Sequence, residues 1–97
     1  MWKLVFTKRA AKDAGKLKQA GLKPKAERLL EIMKDDPYST PPSFEALVGN
    51  LSGAYFRRIN LKHRLVYEVL PGVLKEDDTE YEGREKVLSM WTHYDKL

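Results

Sequence analysis

Apolar residues fall in short, interrupted runs along the whole chain. Trp2-Lys3-Leu4-Val5-Phe6 is rich in strand formers and predicts a short first strand. Thr7 stands where a hydroxyl would cap a helix over Lys8 to about Ala20, and Gly21 would end it. That helix is only weakly amphipathic, because its apolar positions are mostly alanine and Leu17 is the only large one. Pro24 suits the first turn of a second helix reaching about Asp35. Along it Ala26, Leu29, Leu30 and Met33 follow the i, i+3, i+4, i+7 spacing of a buried face, and Pro37 stops it.

The pattern then changes. Pro37, Pro41, Pro42, Gly49 and Gly53 mark residues 37–53 as loop. Ala54 to Ile59 and Arg64 to Leu70 are rich in strand formers, with Asn60-Leu61-Lys62-His63 between them, the sign of an antiparallel hairpin. Pro71-Gly72 is expected to break the second of these strands, and a last strand is expected from about Lys86 to Thr92. Two helices after one strand and before three others predict an α+β domain spanning 1–97. Its helices would pack on one face of an antiparallel sheet in the order β-α-α-β-β-β. Residues 71–86 read as a long acidic loop or hairpin tip between the last two strands.

Composition narrows the classes. Ninety-seven residues, 42% hydrophobic and 33% charged, suit one globular domain rather than a disordered chain. The absence of cysteine excludes disulfides, thiolate metal sites and a cysteine nucleophile. No apolar run is long enough to span a bilayer and no leader pattern opens the chain, so a cytoplasmic protein without a membrane partner is expected. The net charge of +4 hides an asymmetry: residues 1–28 carry a balance of +7, and residues 71–86 a balance of −3. A basic N-terminal part favours a polyanion, because phosphate binding releases counterions.

Candidate chemistry is sparse. Glu45 lies in the proline- and glycine-rich stretch, where a lone carboxylate is either solvated or a general base. Arg57, Arg58, Lys62 and Arg64 lie on or beside one hairpin; strand alternation sends Arg57 and Arg58 to opposite faces, so at least one faces away from the helices. Arginine matches phosphate oxygens in a two-pronged fork, and it equally serves in cross-strand ion pairs with groups such as Glu68. Tyr55, Phe56 and Tyr67 read as packing residues, Ser52 as a turn residue, and His63 as a solvated or capping residue. Met90-Trp91-Thr92-His93-Tyr94 places an imidazole and an aromatic ring at a strand end. No set of residues has metal-ligand spacing, and no glycine-rich phosphate loop is present.

Glu45, Asn50-Leu51-Ser52-Gly53, Arg57-Arg58-Ile59, His63-Arg64-Leu65-Val66-Tyr67 and His93-Tyr94 together resemble the YoeB (Txe) branch of the RelE-like toxins. The resemblance covers most of the chain and extends to the order of elements. It implies a RelE-like fold and the toxin of a type II toxin–antitoxin pair. It also implies a ribosome-dependent endoribonuclease that needs no metal or cofactor and cuts mRNA in the A site by 2′-hydroxyl attack. Carried over, Glu45 would be the general base, His93 the general acid, Arg64 the stabiliser of transition-state charge, and Tyr94 the residue that stacks on a substrate base. Arg57, Arg58 and Lys62 would contact RNA. The implied partners are a YefM-type antitoxin, the ribosome with its message, and a second copy in a homodimer. Val48 stands where family members can carry lysine, the acidic 71–86 segment is longer than the family's usual connection, and Asp95-Lys96-Leu97 extend past the tyrosine. A non-enzymatic basic RNA- or protein-binding module on the same fold is the competing expectation.

Overall fold

Thr7 joins the two halves of the architecture. Its hydroxyl accepts from Ala10 N (3.0 Å), capping the first helix, and donates to Leu88 O (2.9 Å) on the last strand. The computed structural model describes residues 1–49 and 52–91. The elements are β1 (Lys3–Phe6), α1 (Lys8–Gln19), α2 (Lys23–Asp35), β2 (Glu45–Ala46), β3 (Ala54–Arg58), β4 (Arg64–Glu76) and β5 (Thr79–Ser89). Both helices form where capping and spacing place them: Thr7 caps α1, and Pro24 lies in the first turn of α2, where a missing N–H costs nothing.

The strands form one sheet in the order β1-β5-β4-β3-β2. The α+β, RelE-like architecture is as expected, with two corrections: β2 (Glu45–Ala46) adds a short edge strand inside the stretch expected to be loop, so the order is β-α-α-β-β-β-β, and the sheet is mixed. β1 runs parallel to β5, pairing Lys3 with Arg84 and Phe6 with Val87, while the other neighbours are antiparallel. Local sequence carries no trace of this, because the pairing joins opposite ends of the chain and needs the helical crossover between them.

The 71–86 segment is not a loop. β4 and β5 continue through it as a long hairpin, turned at Asp77-Asp78 with φ of 48° and 65° at the two residues. Positive φ at both central residues is the geometry that matches the twist of paired strands, and aspartate tolerates it. Pro71-Gly72 shifts the register between Pro71 and Leu74 instead of ending the strand. The arm is tied back to the N-terminus by Met1 N–Glu82 (2.9 Å) and Lys3–Glu76, and Lys75 lies opposite Glu80 within it.

The main core lies between helices and sheet, where Ala10, Leu17, Ala26, Leu29 and Met33 pack with Ile59, Leu65, Tyr67, Val87 and Met90. Asp13, buried on α1, accepts Met90 N at 3.0 Å and so fixes the chain just beyond β5. A smaller cluster, Leu47, Ala54, Phe56 and Val66 with Leu88, lies on the other face.

Candidate active site

The face turned away from the helices is built by register. Glu45 pairs with Phe56, Phe56 with Val66, and Arg58 with Arg64. Residues directly opposite one another, and residues two apart on one strand, share a face. Glu45, Phe56, Arg58 and Arg64 therefore occupy one face. Glu45 and Arg58 are exposed and Arg64 is half-buried, its guanidinium carbon 4.7 Å from the centre of the Phe56 ring. That cation–π contact limits where the guanidinium points. Two strand spacings, about 10 Å, separate the backbones of β2 and β4, room for a phosphodiester between a carboxylate and a guanidinium.

Lys62 is exposed in the β3–β4 turn, where Asn60 Oδ1 accepts from Lys62 N (2.9 Å) and His63 N (2.7 Å). Beside this face Lys25, Arg28 and Arg58 border a groove whose floor is Leu29, Ile32, Pro42 and Ile59. His93 and Tyr94, with Asn50 and Leu51, lie outside the described residues.

Two expectations are corrected. Arg57 is not an exposed RNA contact. It is 1% exposed and donates to three main-chain carbonyls: Pro42 O (2.5 Å), Ser39 O (2.8 Å) and Pro37 O (3.0 Å). Alternation with Tyr55 and Ile59 on the helix-facing side was the available sign of this. His63 is not solvated. It is buried, with its ring stacked on Trp91 at 3.9 Å and 21°. Trp91, two residues before His93 in sequence, thus stands beside the start of β4, which carries Arg64.

Beneath the sheet, near Arg57, lies a group that sequence reading passed over. Glu85 is fully buried on β5, and its two carboxylate oxygens have no hydrogen-bond partner among the described residues. Burial pushes its carboxyl up to about 8; Arg57 pulls it down and Asp36 pushes it further up. Tyr67, whose hydroxyl donates to Pro37 O (2.8 Å), is pushed up to about 12, again by burial and against the pull of Arg57. Among the described residues no three His, Asp or Glu side chains converge to hold a metal ion. Among the described residues no helix is long and apolar enough to cross a membrane.

A carboxylate and two guanidiniums around an aromatic floor can accept a proton and stabilise a developing phosphate charge. Residues 6–94 match the family model of the YoeB-like toxin of bacterial type II toxin–antitoxin systems. The chain belongs to this family. Its fold agrees with that assignment. A YoeB/ParE toxin from Agrobacterium tumefaciens is 28% identical, with 95% of this chain and 99% of that one covered and a TM-score of 0.77. The toxin in a YoeB–YefM complex from Staphylococcus aureus is 29% identical, with 97% and 99% covered and a TM-score of 0.71. A YoeB dimer from the same organism is likewise 29% identical, with 96% and 98% covered and a TM-score of 0.71. No curated protein matches the sequence. In this YoeB-like chain Glu45, Arg58 and Arg64 lie on the open face of β2, β3 and β4, opposite the helix-covered one.

Proposed function

We propose that this YoeB-like toxin is a cytoplasmic, ribosome-dependent mRNA endoribonuclease. The observation that carries the reading is the convergence of Glu45, Arg58 and Arg64 on one open face around Phe56. Glu45 takes the proton from the ribose 2′-hydroxyl. The 2′-oxygen attacks the adjacent phosphorus, and the bond from phosphorus to the 5′-oxygen breaks. His93 gives that leaving oxygen its proton, and a 2′,3′-cyclic phosphate remains. Arg64 stabilises the charge that grows on the non-bridging oxygens, where a fixed guanidinium is worth most. Arg58 and Lys62 hold flanking phosphates, and Tyr94 stacks on a base. A metal has no step in this scheme, since acid and base are both side chains.

Neighbours solved as a YoeB–YefM complex and as a YoeB dimer support two of the proposed partners, a YefM-type antitoxin that neutralises the toxin and a second copy of the chain; the ribosome with its message is the third, required by the proposed reaction. Primer extension on message from expressing cells tests the reading. Cleavage at a fixed position within codons is expected from the parent chain. General acid–base groups contribute typically 10²–10⁴-fold, so Glu45→Ala and His93→Ala should each lower cleavage by roughly that factor. Growth arrest by Arg64→Ala and His93→Ala as strong as by the parent would overturn the chemistry. RNA binding with steep salt dependence and no cut message would instead identify a binding module.

A further inference from the structure

Arg57 encloses its guanidinium within the segment that leads into Glu45. Its three carbonyl acceptors are all on residues 37–42, and the Phe44 ring centre is 5.2 Å from the guanidinium carbon. The Pro37 carbonyl also accepts from the Tyr67 hydroxyl. Tyr38 and Phe44 close over Tyr55, with ring centres 5.5 and 5.7 Å away. Glu45 is the next residue, and it begins a strand of only two residues at the sheet's edge. So short a strand holds its side chain loosely unless the chain on either side is held too.

A buried arginine is a costly way to close a loop, since its charge must leave water. It also does what an apolar side chain cannot, fixing three carbonyls by directional, charge-assisted hydrogen bonds. We propose that Arg57 is a positioning residue for Glu45: by clamping residues 37–42 it sets where β2 begins and thus where the Glu45 carboxylate meets the substrate. Tyr67 is the second tether of the same segment. The inference rests on the reading of Glu45 as general base.

The test is a double-mutant cycle in single-turnover cleavage of ribosome-bound message, with ribosome affinity measured in parallel. Small displacements of a reacting group can cost up to about 10²-fold, so Arg57→Lys should lower the cleavage rate constant about tenfold or more, with affinity nearly unchanged. Tyr67→Phe, which keeps the ring in the core, should lower it by a smaller factor. In a Glu45→Ala background neither substitution should cost anything further, because there is no base left to misplace. Equal losses in both backgrounds would show a general structural role and overturn the proposal, as would a parent-like rate for either variant in the Glu45 background. Should Arg57→Lys fail to fold, Tyr67→Phe decides alone. A parent that does not cleave, or a Glu45→Ala chain that cleaves as fast as the parent, removes the general-base reading itself. In that case the positioning role falls with it.

Discussion

Glu85 occupies the least favourable place for a carboxylate in this protein, fully buried with no hydrogen-bond partner among the described residues. Its carboxyl, at 4.5 ordinarily and about 8 here, keeps its proton in the fold where the unfolded chain has lost it. Between those two values the folded state binds more protons, so this group's contribution to stability falls as pH rises through the window. Below about 4.5 it is fully present, and above about 8 it is gone. Glu85→Gln removes the titration while keeping the shape. Melting temperatures measured from about pH 5 to about pH 8 should fall less steeply in the variant, which should be the more stable chain at the alkaline end. At about 1.36 kcal/mol per pKa unit, the difference is on the order of a few kcal/mol. Parallel curves for parent and variant would rule out Glu85 as the titrating group. Gly83 offers a second residue-scale test. A Cβ there would stand 2.5 Å from Leu70 O, 2.6 Å from the Trp2 ring and 2.9 Å from Pro71 Cα. Overpacking of this kind costs about 1–3 kcal/mol, so Gly83→Ala should melt earlier. Adding Trp2→Ala should not rescue it, because the nearest atom is backbone.

At the scale of elements, the two helices were legible because their signals are local: Thr7 as cap, Pro24 in a first turn, and Leu29 and Met33 spaced for one face. Their attachment to the sheet was not. Thr7 both caps α1 and bonds the β5 carbonyl of Leu88, so Thr7→Ala loses two hydrogen bonds. A cap alone is worth about 0.5–2 kcal/mol, and calorimetry should find Thr7→Ala destabilised by at least about 1 kcal/mol, with Thr7→Ser close to the parent. The β4–β5 arm was hidden for the opposite reason. Residues 70–73 are all exposed, so burial imposes no alternation on them, and the acidic residues beyond are those of solvated strands. Asp77-Asp78 was the available sign of a tight turn, overshadowed by Pro71-Gly72, which bends the hairpin without ending it.

For the molecule as a whole, basic charge and fold work together. Lys25 and Arg28 on α2 border the same groove as Arg58 on β3, although the three are distant in sequence. If a message lies along this surface, the logarithm of affinity should fall with the logarithm of salt concentration by about 0.7 per phosphate contacted. Substituting Lys25→Glu and Arg28→Glu together should weaken binding to ribosome-bound message at low salt and flatten that slope. An unchanged slope in a binding titration would place the RNA elsewhere. The sequence by itself determined the helices, the α+β class, the family resemblance and the candidacy of Glu45, Arg58 and Arg64, because caps, spacing and motif are properties of neighbouring residues. Only the tertiary structure decided that β1 lies parallel to β5, that Glu45 and Arg64 share a face, and that Arg57 turns inward to hold a loop. Those depend on contacts between distant segments, where burial decides whether a charge meets water or main-chain carbonyls.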